Sequence, residues 1–256
     1  MGPDLEFAQR LADIADAITL PRFRALDLRV ETKPDLTLVS EADRAAEEAL
    51  RAAVASSRRG EGVHGEEFGD DGGDVRWIVD PIDGTANYVR GVPIFATLLA
   101  LEREGRVELG LVSAPALRRR WWAVRGEGAF ADGERIRVSE VARIEDSAVS
   151  TTSARHMPAG WAEIVERAWS NRGLGDFWQH CLVAEGALDV GCDSNLHLWD
   201  YAGVQLIVEE AGGRCTTFDG DPPAPERSFV ATNGVLHDEV VALLSDLPQT
   251  AATASS

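Results

Sequence analysis

The order of helical and strand patterns along this sequence predicts an α+β fold. Apolar residues recur at helical spacing near both ends of the chain, in segments 4–20 and 236–244. Between them lie segments with strand-like alternation, joined by glycine-containing turns at 104–105 and 126–133, as in an antiparallel sheet. The chain has 256 residues, 45% of them hydrophobic, so it can bury a large core.

Local patterns justify the individual elements. The first helix, over 4–20, has one apolar face, a polar loop follows at 31–39, and Ser40 is a suitable N-cap for a helix over 41–56. Further helices are expected at 161–169, 179–185, 200–211 and 236–244, and strands at 75–80, 94–102, 107–113, 120–124, 148–151, 188–190 and 228–232. Gly212 and Gly213 end the helix that is predicted over 200–211.

A change in composition near residue 141 indicates how the chain is organised. It separates an N-terminal α+β half, 1–140, from a C-terminal α/β half, 141–247. The N-terminal half contains most of the acidic motif residues. The last segment, 248–256, has the small and polar residues that are typical of a disordered tail.

Composition and charge exclude several classes of function. A formal net charge of −18 argues against nucleic acid as a partner, because binding phosphates requires a basic surface, and it favours cations. The chain lacks a membrane-spanning apolar segment and begins as an amphipathic helix rather than as a secretion signal, so we expect no membrane association and a cytoplasmic location. Three cysteines and five histidines lack the spacing of a disulfide framework or a zinc site.

The segment 77–85, Trp-Ile-Val-Asp-Pro-Ile-Asp-Gly-Thr, carries the clearest chemical signal. Strand-forming residues lead to Asp80, the proline after it cannot continue a ladder, and Gly84 permits a tight turn. Asp80 is therefore expected at the C-terminal end of a strand, with Asp83 nearby. Their oxygens suit a hard cation such as Mg²⁺, and the N–H groups of Gly84 and Thr85 can bind phosphate if a helix begins there.

Two further acidic motifs occur elsewhere in the chain, Gly-Glu-Glu at 65–67 and Trp-Asp at 199–200. Together with Asp-Pro-Ile-Asp-Gly-Thr at 80–85, they make the chain resemble the inositol monophosphatase superfamily of Mg²⁺-dependent phosphatases, which has these three motifs in the same order. The resemblance runs from about residue 33 to residue 213. It implies a layered αβαβα sandwich of the inositol monophosphatase and fructose-1,6-bisphosphatase type.

The resemblance also implies two or three Mg²⁺ ions and their ligands. Glu66, Asp80 and the carbonyl group of Ile82 would hold one ion. Asp80, Asp83 and Asp200 would hold another, so that Asp80 bridges the two. Clustered ions of this kind polarise a phosphoryl group, generate hydroxide near neutral pH and neutralise the leaving alkoxide, so hydrolysis needs no covalent enzyme intermediate.

Catalytic and phosphate-binding residues follow from the same resemblance. Thr85 with Glu66 would orient the attacking water, and the N–H groups of Gly84 and Thr85 would bind phosphate oxygens. The family places an acid near a further metal or its waters at the position of Asp43. Because Asp43 follows Ser40 by three residues, it also fits a capping box, and both roles stay open.

Each of these residues has a structural alternative. Asp80 and Asp83 could cap the N–H groups of a turn, and Asp200 could be only a helix N-cap. Glu66 and Glu67 could be ordinary charged residues of a solvent-exposed loop. Lys33 is either a surface residue, which we favour slightly, or the loop lysine that meets phosphate in relatives. The ordered set of motifs favours a metal site over these alternatives.

Two other acids bear on the substrate. Asp176 stands where inositol-type relatives commonly have small residues, and Asp193 matches a position at which the family has a substrate-contacting acid. Two carboxylates beside a phosphate site favour a substrate with a distal ammonium group. The Gly175-Asp176 pair, together with segments 183–186 and 199–202, makes the chain resemble the histidinol-phosphate phosphatase branch. The implied substrate is L-histidinol phosphate, a phosphorylated amino alcohol of histidine biosynthesis.

Other functions stay open. If Asp176 is only the N-cap of a helix over 177–185, inositol 1-phosphate becomes the nearest alternative substrate. A fructose-bisphosphatase or nucleotide 3′-phosphatase would need basic residues for a second phosphate, for which Arg155 and Arg172 are available but not clustered in sequence. The intact acid set argues against a non-catalytic metal- or phosphate-binding relative. A homodimer is expected by resemblance.

Overall fold

The structure, a computed structural model, describes residues 2–34 and 36–245. In chain order, its helices and strands are α1 (Pro3–Arg22), β1 (Val30–Thr32), β2 (Leu38–Ser40), α2 (Glu41–Ser57), β3 (Gly62–Gly65), β4 (Gly69–Asp70), β5 (Val75–Asp83), α3 (Thr85–Val89), β6 (Ala96–Arg103), β7 (Arg106–Ala114), β8 (Arg119–Val124), β9 (Gly128–Ala131), β10 (Glu134–Arg135), β11 (Ala148–Thr151), α4 (Gly160–Arg167), β12 (Ser170–Arg172), α5 (Asp176–Ala184), β13 (Val190–Leu196), α6 (Leu198–Glu210), β14 (Arg214–Thr216), β15 (Arg227–Thr232) and α7 (His237–Leu244). The tail predicted for 248–256 lies outside the described residues.

The strands form two large sheets and one short hairpin. The first sheet has eight strands in the order β10-β9-β8-β7-β6-β5-β3-β4, and all its pairs are antiparallel except that of β3 with β5. The second has five strands in the order β12-β11-β13-β15-β14. β1 and β2 form the hairpin. The antiparallel pairing predicted for the strands from β5 to β8 is therefore confirmed.

Helices and sheets alternate in five layers. α1 and α2 cover one face of the eight-stranded sheet, where Phe7 packs edge-on against Trp77 with ring centroids 5.3 Å apart. α5 and α6 lie between the sheets in a core that includes Phe177 and Phe229, and α4 and α7 cover the outer face of the five-stranded sheet. Both sheets are thus apolar on two faces, which this layering requires. The predicted αβαβα sandwich is confirmed.

The central helix α6 packs unusually close to the eight-stranded sheet. A Cβ atom added to Gly110 of β7 would lie 2.3 Å from the carbonyl oxygen of Gly203 in α6. One added to Gly203 would lie 2.8 Å from the carbonyl oxygen of Leu99. Because backbone atoms cannot move aside as flexible side chains can, only glycine fits at this crossing. The first turn of α6 lies near the C-terminal end of β5, where the carboxylate of Asp200 approaches those of Asp80 and Asp83.

Most predicted elements exist, and the differences have local causes. The loop predicted at 31–39 contains the β1–β2 hairpin, whose strands have only three residues each and are too short to show a clear alternation. The turn predicted at 126–133 contains β9. The strand predicted at 188–190 begins at Val190 and extends to Leu196. Its length was underestimated because its second half is polar. The division of the chain into halves at residue 140 stays a prediction.

Among the described residues, no helix combines the length and the apolar character that crossing a membrane requires.

Replacing Gly110 tests the close crossing of α6 and β7. We expect Gly110→Ala to lower the free energy of unfolding by about 1–3 kcal/mol, because the added methyl group meets backbone rather than a flexible side chain. Equilibrium urea unfolding measures the change. Gly173→Ala is the matched control, since its added Cβ would meet no atom within 4 Å. Equal effects of the two substitutions would contradict the packing argument.

Candidate active site

The strand β5 supplies two acids and extends beyond the end that the sequence predicted. Its register with β6 is irregular between Asp80 and Asp83, after which Asp83 pairs with Ala96. Pro81 lies in this irregular segment, because it has no N–H group to donate to the ladder. Oδ1 of the buried Asp80 accepts the N–H of Ile82 at 2.9 Å. The irregularity thus places both carboxylates at the same end of the strand.

Asp80, Asp83 and Asp200 form the centre of the site. One carboxylate oxygen of each lies within 4.8 Å of the others. Oδ2 of Asp83 accepts the N–H of Phe177 in α5 at 2.8 Å, and Oδ2 of Asp200 accepts the N–H of His197 at 2.7 Å. Backbone donors from separate elements therefore hold the acids together.

The start of α6 differs from the prediction. The helix begins at Leu198 with His197 as its N-cap, so Asp200 is the third helical residue and not the cap. Its carboxylate nevertheless accepts the N–H of the cap residue, as the acid of a capping box does. The same side chain therefore supports the helix and belongs to the acid cluster.

Burial and mutual repulsion raise the pKa values of the clustered acids. Burial is the main cause for Asp80 and Asp83, whose pKa values lie well above their ordinary range, and neighbouring carboxylates add to it. Burial also raises the pKa of Asp200 to about 7, with Glu66 contributing repulsion. A set of oxygen ligands with this excess of negative charge fits a hard divalent cation. The cluster supports a metal site of the kind that the sequence predicted.

Lys33 is the cation nearest to the Gly-Glu-Glu loop. Its Nζ donates hydrogen bonds to Glu66 at 2.7 Å and to Glu67 at 2.6 Å. Burial alone lowers the pKa of Lys33, but these hydrogen bonds outweigh it, and the pKa lies above its ordinary value. The slight preference for a surface lysine was therefore wrong, because sequence could not show that the loop folds over the two acids.

Glu47 is a positioning residue that sequence reasoning missed. Its fully buried carboxylate accepts the N–H groups of Glu67 at 2.7 Å and Phe68 at 3.1 Å, and Arg51 donates to it at 2.9 Å. A Cβ atom at Gly65 would lie 2.0 Å from Oε1 of Glu47, so a larger residue there would displace this carboxylate from the loop. An acid on the apolar face of α2 was the available signal, since buried acids are rare without partners.

Asp43 has the capping role that the sequence left open, and it also contacts Thr85, whereas its role near a metal stays a prediction. Its Oδ2 accepts the N–H of Ser40 at 2.9 Å and the Ser40 hydroxyl at 2.6 Å, which confirms the predicted capping box. Its Oδ1 lies 3.2 Å from the hydroxyl of Thr85, which is also 2.9 Å from the carbonyl oxygen of Ile82. Burial raises the pKa of Asp43 to about 6, and Glu66 adds repulsion. Asp43 thus connects the cap of α2 to Thr85.

Gly84 makes the turn between β5 and α3. Its φ of +79° is in the left-handed region, and a Cβ atom there would lie 2.9 Å from the carbonyl oxygen of Ile94. The expected helix does begin at Thr85 but has only five residues. Phosphate binding by the N–H groups of Gly84 and Thr85 stays a prediction.

Asp176 is the first residue of α5 and not its cap. Gly175 is the N-cap, and the carboxylate of Asp176 instead accepts the side-chain amide of Asn87 in α3 at 2.8 Å. The N–H of Asp176 donates to the hydroxyl of Thr152 at 3.0 Å. Burial raises the pKa of Asp176 to about 6, and the charge of Asp193 adds to the shift. The alternative of Asp176 as a helix N-cap was therefore wrong. The sequence also did not reveal Asn87 as its side-chain partner.

Two cavities meet at these acids. The cavity over the acid cluster, which we call the phosphate cavity, has a volume of about 640 Å³ and includes Lys33, Glu66, Asp80, Ile82, Gly84 and Thr85 in its wall. The second, the distal cavity, has a volume of about 300 Å³, and Asp193 and His180 line it. Asp83, Asp176 and Asp200 line both. One molecule can therefore place a phosphate at the cluster and its other end in the distal cavity.

Comparison with known proteins agrees with this arrangement. The model of the inositol monophosphatase family matches residues 2–249. The histidinol-phosphatase of Mycobacterium tuberculosis is 48% identical over 94% of this chain and 98% of its own length, and that of Streptomyces coelicolor is 48% identical over 94% and 97%. The solved structure of a Thermotoga maritima IMPase superimposes with a TM-score of 0.89 at 35% identity, covering 95% of this chain and 97% of that one.

The acid cluster predicts a pH-dependent effect of divalent cations on stability. Folding raises the pKa of Asp43 to about 6 and that of Asp200 to about 7. A carboxyl group whose pKa is raised in the folded state stabilises the fold at low pH, and this contribution is lost as pH rises through the folded pKa. We therefore expect the protein without a divalent cation to become less stable as pH rises from about 4, near the ordinary pKa, to about 7.

Mg²⁺ should reverse that loss, because it binds the ionised carboxylates. Differential scanning calorimetry with and without MgCl₂ should show a larger increase in Tm at about pH 8 than at about pH 5. Asp80→Asn should reduce the increase, whereas Asp219→Asn, an exposed substitution outside the cavities, should leave it unchanged. An equal increase at both pH values would contradict the metal assignment.

Proposed function

Because this chain belongs to the inositol monophosphatase family, we propose that it hydrolyses L-histidinol phosphate to L-histidinol and phosphate, a step of histidine biosynthesis. The observation that carries the proposal is the pair of acids, Asp176 and Asp193, in the wall of the distal cavity. The two histidinol-phosphatases that are 48% identical to the chain support the same substrate.

The charge of the distal cavity favours an amino-alcohol phosphate. Asp176 and Asp193 line it, and no lysine or arginine is among the described residues of its wall. A substrate with an ammonium group would compensate these carboxylates, whereas the uncharged ring of inositol would leave them without a counter-charge. L-Histidinol phosphate has its amino group and imidazole at the end opposite the phosphate. The cavity therefore matches its charge distribution.

The described residues that line the two cavities include no cluster of basic side chains for a second phosphate. Lys33 is the only lysine or arginine among the described residues that line the two cavities, and Arg155 and Arg172 line neither. Binding a bisphosphate requires additional positive charge near the second group. This arrangement supports a monophosphate over the fructose bisphosphate or nucleotide substrates that the sequence left open.

In this proposal the acid cluster holds two or three Mg²⁺ ions. Their ligands are Glu66, Asp80, the carbonyl oxygen of Ile82, Asp83 and Asp200. When bound, Mg²⁺ supplies Lewis-acid polarisation of the phosphoryl group and the attacking water, and it neutralises charge on the leaving oxygen. The number of ions and the identity of the metal are part of the proposal.

The protein's own residues would align water and substrate. With its hydroxyl proton directed to Asp43 or to Ile82, the Thr85 oxygen can accept a hydrogen bond from the attacking water. Glu66 would accept a second one. The N–H groups of Gly84 and Thr85 would bind phosphate oxygens. As the water oxygen bonds to phosphorus, the ester P–O bond breaks; the attacking water loses a proton and the leaving oxygen takes one up from water, so that L-histidinol leaves as the free alcohol.

The homodimer and the cytoplasmic location that the sequence suggested stay predictions. Sedimentation of the purified protein would determine whether it is a homodimer.

Phosphate release by the purified protein tests the proposed function. L-Histidinol phosphate, inositol 1-phosphate, fructose 1,6-bisphosphate and adenosine 3′,5′-bisphosphate are compared in Mg²⁺, with a chelator as control. We expect a clear preference for L-histidinol phosphate and a loss of at least about 100-fold in kcat for Asp80→Asn. Preference for inositol 1-phosphate would identify the alternative function, and absence of metal-dependent turnover on every substrate would favour a binding protein.

Removing the charge of Asp176 tests the role of the distal cavity. Asp176 has a φ of +49°, which asparagine also tolerates, so Asp176→Asn removes charge without a new backbone strain. We expect KM for L-histidinol phosphate to rise about tenfold, because an ammonium group loses its partner. KM for inositol 1-phosphate serves as the internal control and should not rise. Equal increases for both substrates would limit Asp176 to a structural role.

A further inference from the structure

Gln179 and His180, two neighbours on α5, hold the carboxylate of Asp193. Nε2 of Gln179 donates to Oδ2 of Asp193 at 2.6 Å, and Nε2 of His180 lies 2.9 Å from the same oxygen. The three side chains are buried: the exposed fractions are 0% for Gln179, 1% for His180 and 5% for Asp193. Both donors therefore fix one oxygen of a carboxylate that also lines the distal cavity.

Contacts on both sides restrict the imidazole of His180. Carboxylate oxygens accept hydrogen bonds, so Nε2 of His180 acts as the donor in this contact. Nδ1 faces Gly191, where an added Cβ would be 3.2 Å away, and it has no hydrogen-bond partner within the described part of the chain. The ring of Phe229 packs perpendicular to the imidazole, with centroids 5.0 Å apart. A flipped ring would lose the hydrogen bond to Asp193.

We propose that His180 is a positioning residue for substrate specificity, which holds Asp193 so that its second oxygen faces the cationic end of the substrate in the distal cavity. This inference rests on the proposed function. Asp193 and Asp176 both line that cavity and repel each other, so a freely rotating Asp193 would turn away from its neighbour. The hydrogen bonds from Gln179 and His180 to Oδ2 of Asp193 prevent this rotation. The carboxylates of Asp176 and Asp193 are thereby kept directed at the same ligand.

A positioning role of this kind should be specific to one class of substrate. A substrate with an ammonium or imidazolium group gains an ion pair from an ordered Asp193, whereas a hydroxyl of inositol 1-phosphate gains only a weaker, uncharged-donor hydrogen bond there. The acid cluster, which holds the phosphate end of both substrates, receives its backbone hydrogen bonds from other residues. Loss of the His180 donor should therefore raise KM for the cationic substrate and leave kcat nearly unchanged.

Three variants of His180 separate its donor from its bulk. His180→Leu removes the donor, His180→Asn keeps a polar side chain that is too short to place an N–H at the Nε2 position, and His180→Gln can restore a donor there. We expect KM for L-histidinol phosphate to rise about tenfold in the Leu and Asn variants and to recover largely in the Gln variant. KM for inositol 1-phosphate should rise clearly less than KM for L-histidinol phosphate, and the Mg²⁺ dependence should change less than about twofold.

His237→Leu is the matched control, because His237 is an equally buried histidine that lines neither cavity. It is 1% exposed and lies 2.9 Å from the hydroxyl of Thr232 and 3.0 Å from that of Thr216. We expect this variant to lose stability in calorimetry without a selective change in KM. A selective KM increase in it would overturn the proposal, since the effect would then come from general loosening of the five-stranded sheet.

The remaining outcomes distinguish this inference from the proposed function. If the wild-type protein prefers L-histidinol phosphate but His180→Leu or His180→Asn leaves KM unchanged, or raises KM equally for both substrates, the positioning role is wrong and the function stands. If the folded His180→Gln variant behaves like His180→Leu, the donor is not the cause and the proposal is overturned. If the wild-type protein prefers inositol 1-phosphate, the proposed function fails, and the specificity role of His180 fails with it.

Discussion

Repulsion among buried carboxylates is the constraint on which the rest of this site depends. Asp80, Asp83 and Asp200 have oxygens within 4.8 Å of one another, and burial raises the pKa of each. Separate backbone N–H donors, two of them at the starts of α5 and α6, partly offset the repulsion. The acids are therefore fixed in place before any cation binds, and the five-layered core supplies the rigidity that this arrangement requires.

The helix α2 extends this arrangement with two more buried acids. Asp43 and Glu47 are four residues apart and therefore lie on the same face of the helix. Asp43 reaches the hydroxyl of Thr85, while Glu47 binds the backbone of the Gly-Glu-Glu loop that carries Glu66. One helix thus positions both side chains that are proposed to align the attacking water. Helix geometry sets the spacing of Asp43 and Glu47 themselves.

The sequence predicted local features well and tertiary partners poorly. The motif at 80–85 identified the acids and the turn glycine, because a proline and a glycine restrict the backbone within a few residues. The cap at Ser40 was predicted for the same reason. The partner of Asp176 could not be predicted, since Asn87 is 89 residues away and an ordinary surface amide would look the same in sequence. Periodicity shows which face of a helix is buried, but not what it contacts.

The first turns of α5 contact both the acid cluster and the distal cavity, but through different groups. The backbone N–H of Phe177 supports Asp83, and any residue other than proline can supply that donor. The side chains of Asp176, Gln179 and His180 instead shape the distal cavity or fix the acid in its wall. Substitutions at these three positions can alter the group that the cavity accepts while the acid cluster keeps its support. A shared phosphate site with divergent substrates is the expected outcome of such an arrangement.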